Sequence, residues 1–148
     1  MSRTDGTDIA KRSPIRTAAL IVGVLFLVVG VLGFIPGITT DFDELEFAGH
    51  DSEAQLLGLF QVSVLHNLVH LAFGVLGVLM ATTSALARFY LIAGGAVYLV
   101  LWLYGLIVDN DEDANFVPLN HADDWLHLCL GVGMIALGLL LHRDRSRR

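Results

Sequence analysis

Three histidines in apolar surroundings are the residues of this sequence that could do the most chemistry. His66 and His70 stand four residues apart in a run without charges, so on a helix they share one face. His127 lies in another apolar run, three residues after Asp124, and Asn67 is adjacent to His66. Polar side chains within apolar segments of membrane type are costly and tend to be functional. These five residues form the predicted polar cluster.

Several kinds of chemistry are open to this cluster. His66, His70 and His127 are ligand types for zinc, copper or iron, with Asp124 one turn above His127. His66 or His70 could pair with His127 as the axial ligands of a haem. An ion or proton path is the third alternative. The favoured interpretation is structural, because His and Asn link membrane helices by hydrogen bonds of about 1–2 kcal/mol or less.

Four apolar runs must position the cluster. They cover residues 17–35, 56–80, 89–108 and 125–141. A helix needs about 20 residues to cross a hydrocarbon layer of about 30 Å, and unpaired backbone in lipid excludes open strands. Only 16% of the residues are charged, against about a quarter in soluble domains. The sequence therefore predicts an all-α, four-transmembrane-helix bundle. The first run exceeds the usual core of a signal peptide, so we expect a retained helix.

The predicted boundaries follow from capping residues. Ser52 and Gln55 have the spacing of a capping box, which places the start of helix two near residue 54. Asn120 is the expected cap of helix four. A short turn at 82–84 should make helices two and three antiparallel neighbours. The predicted helices are 15–35, 54–81, 85–108 and 122–142, within a membrane domain at 14–142, with acidic external loops at 36–53 and 109–121 and tails at 1–13 and 143–148.

All nine basic residues fall on one side of this arrangement. They are Arg3, Lys11, Arg12, Arg16, Arg88, Arg143, Arg145, Arg147 and Arg148. The two loops on the other side contain Asp and Glu but no Lys or Arg. Because basic residues in short loops stay in the cytoplasm, both termini should be cytoplasmic (N-in/C-in), and we expect a multi-pass protein of the cell (plasma) membrane.

Small residues indicate which helix faces meet. The stripe of helix two that carries His66 and His70 continues through small residues, and so does the stripe of helix four that carries His127. Those small residues are Gly74, Gly77, Ala81, Gly131 and Gly138. Small residues allow membrane helices to approach closely, so the three histidines should face one another inside the bundle, at similar depth.

Other chemistries find little support. The single cysteine, Cys129, excludes an internal disulfide and a cysteine-based zinc or iron–sulfur site. The segment 109–120 opens like a calcium loop, but Ala114 and Asn120 occupy positions that need Gly and Glu. Asn67 stands where an H-E-x-x-H motif has Glu, which disfavours a metalloprotease. The basic tail suits topology or anionic lipid, so the expected partners are the bilayer and a second copy or another membrane protein, and no nucleic acid.

Several strings of the sequence point to a family. They are GFIPG at 33–37, LGLF at 57–60, VLHNLVH at 64–70, YLVLW at 98–102, NFVPLN at 115–120 and WLH at 125–127. With these strings the chain resembles a family of bacterial four-helix membrane proteins catalogued as domain of unknown function 4383. The resemblance covers most of the chain between the tails. It implies a four-helix membrane protein and no activity, cofactor or site residue.

The predicted function is that of an integral membrane protein whose buried histidine cluster has a structural or interaction role, without an assigned enzymatic activity. The alternatives are a metal- or haem-binding membrane protein, redox-active in that case, and a small transport or proton-path protein. No cofactor is favoured, and a metal or a haem is the alternative.

Overall fold

The computed structural model describes residues 13–108 and 114–143, and four helices make up most of them. In chain order these are α1 (Pro14–Leu32), α2 (Val64–Met80), α3 (Ser84–Ile107) and α4 (His121–Arg143). Between α1 and α2 lie three short strands, β1 (Thr39–Thr40), β2 (Gln55–Leu56) and β3 (Phe60–Gln61), and one turn of 3₁₀ helix (Phe42–Glu44). The predicted all-α helical bundle is confirmed.

Three helices are long and apolar enough to cross a membrane. They are Pro14–Leu32, Ser84–Ile107 and His121–Leu141. The helix α2 is equally apolar but has 17 residues, which span about 25 Å. The prediction of a membrane protein is therefore confirmed. The predictions for the acidic residues 109–113 and for the basic residues of both tails concern parts of the chain outside the described residues.

The start of α2 corrects the predicted boundary, because the helix begins at Val64 and not near residue 54. Its cap is Ser63, whose hydroxyl accepts a hydrogen bond of 3.1 Å from the His66 backbone N–H. Ser52 is not a helix cap: its hydroxyl donates to the Val62 carbonyl at 2.6 Å. The helix cannot extend backwards because Leu57 and Gly58 have positive φ angles of 57° and 65°.

The segment 36–62, which we call the cap, is folded rather than a plain acidic loop. Its strands form an antiparallel sheet in the order β1-β2-β3, with Thr39 opposite Leu56 and Leu56 opposite Phe60. Ala54, Leu56 and Val62 form a small buried cluster, against which Val29 and Leu32 of α1 pack. The cap therefore covers the end of the bundle where α1 finishes and α2 begins.

The helices form two tight pairs, α1 with α2 and α3 with α4. In the first pair, a Cβ added to Gly23 would lie 2.9 Å from the Gly77 carbonyl carbon. In the second, a Cβ on Gly95 would lie 2.8 Å from the Gly131 oxygen. The predicted close packing along the glycine stripes is thus confirmed. Helices α2 and α3 are joined by the expected short turn but pack far less closely, since their facing surfaces lack such a glycine pair.

Candidate functional site

The structure brings His66, His70 and His127 together in the bundle interior. Helix α2 places His66 and His70 one turn apart, with ring centroids 4.6 Å apart and planes inclined by 24°. Helix α4 brings His127 to 6.3 Å from His66. Their exposed fractions are 6%, 7% and 2%. Imidazoles from two helices therefore meet in surroundings with little access to water.

Two aromatic residues complete a closed circle of rings with the histidines. The Phe26 ring lies 5.7 Å from His70 and stacks on Tyr98 at 5.3 Å. Tyr98 in turn lies 5.2 Å from His127. This ring circle of His66, His70, Phe26, Tyr98 and His127 contains at least one residue from each helix. Such ring contacts stabilise a centre beyond the area they bury.

Phe26 was absent from the predicted cluster, although a sequence signal for it exists. It lies three residues after Gly23 and four before Gly30, on the glycine stripe of α1. Both glycines are buried against α2. Phe26 therefore shares the small-residue face of α1, as the histidines share the small-residue faces of α2 and α4, and this common pattern predicts its position opposite them.

Asn67 and Asp124 do not join the ring circle, which corrects their predicted place in the cluster. The Asn67 amide is fully buried and packs against Gly33, where a Cβ would overlap it. The Asp124 carboxylate similarly occupies the space beside Gly105. Within the described residues neither side chain hydrogen-bonds to an imidazole of the ring circle, and the Asp124 carboxylate lies 4.0 Å from the exposed His121 imidazole instead. Asn67 follows His66 by one residue, which turns it about 100° around the helix, towards α1.

The three imidazoles share an unusual electrostatic feature. The Nδ1 atoms of His66, His70 and His127 are buried and have no hydrogen-bond partner among residues 13–108 and 114–143. Native proteins pair most buried polar atoms, and an unpaired one costs about 1–3 kcal/mol. The buried Asn67 amide and the Asp124 Oδ1 atom are likewise unpaired, so unpaired buried polar atoms are concentrated at this end of the bundle.

A cavity of about 180 Å³ adjoins the imidazoles. It is lined by Ser63, Leu65, His66, Val69, His70, Tyr98, Leu101, Phe116, Val117 and His127. Apart from the imidazoles, the serine and the tyrosine, these lining residues are apolar. Val69 and Phe116 are 44% and 57% exposed, so the cavity reaches the protein surface at this side. We call this cavity and its lining the histidine pocket.

The residues fit a metal ion or a haem poorly. Within the described parts of the chain, no group of three or more His, Cys, Asp or Glu side chains is arranged to hold a metal. His66 and His70 stack face to face, so their ring nitrogens do not converge on a single point between the rings. The cavity is also smaller than the about 300–1,000 Å³ of pockets for drug-sized ligands, and a haem is a large ligand by that standard.

The end of α4 near the pocket is fastened to the cap. The Asn120 side-chain oxygen accepts from the Asp123 N–H at 3.0 Å, and the Asp123 carboxylate accepts from the Asn120 N–H at 3.0 Å. The same carboxylate accepts from the Gln61 N–H of β3 at 3.1 Å, and Asn120 donates to the Leu59 carbonyl at 2.8 Å. The predicted Asn120 cap is confirmed. The role of Asp123 as a link to the cap was not predicted.

Replacing Asp123 with Ala should destabilise the fold by about 2 kcal/mol, because the Gln61 and Asn120 N–H groups would lose their acceptor. The matched control is Asp43→Ala, since Asp43 is an exposed carboxylate of the cap. Chemical unfolding in detergent micelles measures both changes. A second replacement, Asn120→Ala, should cost less in the D123A background than alone, because the two side chains act as one unit. Equal losses for the variants at 43 and 123 would contradict this role.

Three apolar helices of membrane-spanning length and a shorter fourth, packed around buried rings, define a four-helix membrane protein. The chain belongs to the family described as Domain of unknown function (DUF4383), whose profile matches residues 16–140. This match confirms the family resemblance and includes every lining residue of the histidine pocket. No curated protein and no solved structure matches the chain significantly.

Proposed function

We propose that this protein is a multi-pass protein of the plasma membrane, with both termini in the cytoplasm, and that it binds a small ligand in the histidine pocket. The proposal assigns it a binding role rather than an enzymatic one.

One observation carries the binding role: the imidazoles of His66, His70 and His127 line a cavity that opens at the protein surface, while their Nδ1 atoms are buried and unpaired. A purely structural network would use these atoms in hydrogen bonds between helices. Here the rings of His66, His70 and His127 contact aromatic neighbours instead, and the described residues offer no partner to the three nitrogens. A neutral imidazole has one donor and one acceptor nitrogen, so an imidazole in the lining can hydrogen-bond a ligand with a hydroxyl or carbonyl group.

The charge distribution supports the proposed orientation. Arg16 and Arg88 lie near the start of α1 and of α3, at the end of the bundle opposite the cap. The Arg16 guanidinium donates to the Ala81 carbonyl at 3.0 Å, at the end of α2, where a positive charge is favourable. The cap carries acidic residues and no basic ones. The positive-inside rule therefore favours an external cap, and with that orientation the histidine pocket would lie in the outer half of the membrane.

The ligand itself is the most direct test. The protein would be extracted with its surrounding lipids in polymer-bound discs, and bound organic molecules and metals would be identified by mass spectrometry. We expect one organic species near stoichiometric amounts that is lost from the double variant His66→Gln/His127→Gln. His121→Gln is the matched control, because that side chain is 92% exposed.

Four results would contradict the proposal. A stoichiometric metal ion lost with the two histidines would favour the metal-binding alternative, and a Soret band would favour haem. Identical small-molecule content in the wild type, the double variant and the control would favour the structural interpretation of the cluster. Proton or ion flux into proteoliposomes, abolished by the double variant, would favour the transport alternative.

A further inference from the structure

We infer that the ligand of the histidine pocket is a lipid-borne amphiphile, with a single hydroxyl-bearing ring as its head and an alkyl tail that leaves the pocket between α2 and α3. This inference rests on the proposed binding function and specifies its ligand class.

The size of the cavity sets the size of the head group. A cavity of about 150 Å³ is sufficient to hold benzene, and the histidine pocket has about 180 Å³. One six-membered ring with a small substituent therefore fits. A phospholipid head or a fused-ring cofactor would need more space than the packed ring circle leaves.

The chemistry of the lining sets the polarity of the head. Most of the wall is apolar or aromatic, which suits the faces of a ring. The polar groups of the lining are the three imidazoles and the hydroxyls of Ser63 and Tyr98, which favour one hydrogen-bonding group on that ring. Among residues 13–108 and 114–143, no Lys, Arg, Asp or Glu lines the pocket, so a charged head would find no counter-ion there. A hydroxyl group meets these conditions.

The position of the opening determines where the ligand enters and where its alkyl tail leaves the pocket. The exposed rim residue Val69 belongs to α2, and the half-buried Leu101 belongs to α3, the two consecutive helices that pack least closely. His66 and His70 lie two and six residues after the start of α2, which corresponds to roughly 3–9 Å below its end. Amphiphilic groups insert about 5–10 Å into the boundary between head groups and acyl chains, so an opening at this depth would admit a ligand sideways from the lipid.

Nuclear magnetic resonance of ¹⁵N-labelled histidine in proteoliposomes provides the test, because the chain has only six histidines. The probe is 4-octylphenol, added as a mole fraction of lipid, with octylbenzene and phenol as its matched comparisons. We expect 4-octylphenol to shift the signals of His66, His70 and His127 saturably and to leave exposed His121 unchanged. Octylbenzene lacks the hydroxyl, so its mole fraction at half-saturation should be about tenfold higher than that of 4-octylphenol.

A variant pair tests the route. Val69 and Val75 are both exposed valines of α2, at 44% and 49%, but only Val69 lines the pocket. Val69→Trp should fill the opening and raise the half-saturating 4-octylphenol fraction at least about tenfold, as expected when a bound group loses a well-packed site. Val75→Trp should leave it unchanged. Equal effects of both variants would overturn the route between α2 and α3.

The remaining outcomes separate this inference from the proposed function. Equal binding of octylbenzene and 4-octylphenol would overturn recognition by the histidines. If phenol shifts the histidine signals as strongly as 4-octylphenol at the same aqueous concentration, the ligand enters from water. That result would overturn the lipid-borne source. Absence of any shift would overturn the ligand class. In each case a small molecule that copurifies and depends on His66 and His127 would still support the binding function.

Discussion

Gly131→Ile should destabilise the bundle by at least about 3 kcal/mol, at or beyond the upper end of the usual cost of overpacking. A Cβ at Gly131 would lie 2.7 Å from the Leu99 side chain and 3.0 Å from the Gly95 carbonyl oxygen. The Gly95 oxygen belongs to the helix backbone, so it cannot move without separating α3 from α4. Because this pair carries Tyr98 and His127, the ring circle should be disrupted as well.

Gly133→Ile is the matched control on the same helix. Nothing lies within 4 Å of a Cβ at Gly133, and isoleucine has a better helix propensity than glycine. We therefore expect an unchanged or slightly higher stability for this variant. Unfolding midpoints in detergent micelles, with size-exclusion profiles to detect aggregation, measure both changes. Similar losses for the two variants would mean that the close contact of α3 with α4 does not hold the bundle together.

The helical part of the fold could be predicted because it obeys a single constraint. A chain in lipid must pair its backbone internally, so long uncharged runs become helices. The same periodicity identified the faces that meet, since small residues recur on the stripes of His70 and His127. Asn120 could be recognised as a cap because side-chain capping depends on local spacing.

The cap shows where this reasoning fails. Residues 56–62 carry no charge and are mostly apolar, so they read as a continuation of α2. A short apolar run does not distinguish strand from helix. The deciding features are the positive φ at Leu57 and the pairing of Leu56 with Thr39, and both depend on contacts distant in sequence. The apparent capping box at Ser52 arose by chance, because that hydroxyl serves the loop instead.

The site was predictable in its members but not in its surroundings. Helical spacing alone could bring His66, His70 and His127 to one centre. It could not show that Asn67 fills the space beside Gly33, because that contact depends on the rotation of α1 against α2. The cavity likewise results from the loose packing between α2 and α3, which is a property of the whole bundle.

The proposed orientation leads to an all-or-none labelling result. Cys129 would first be replaced by Ala, since it is the single cysteine and is exposed. Single cysteines would then be introduced at Asp51 and Ala114 on the cap side and at Thr82 on the opposite side, all of them exposed positions. Asp51 is preferable to the neighbouring Ser52, which is fully buried.

A membrane-impermeant maleimide applied to intact cells should label the cysteines at 51 and 114 nearly completely and the one at 82 only after lysis. The physical reason is that Arg16 and Arg88 lie at the Thr82 end, and basic residues in short segments are retained in the cytoplasm. Labelling at 82 together with protection at 51 and 114 would reverse the orientation. The histidine pocket would then open to the inner leaflet, and its ligand would have to come from that side of the membrane.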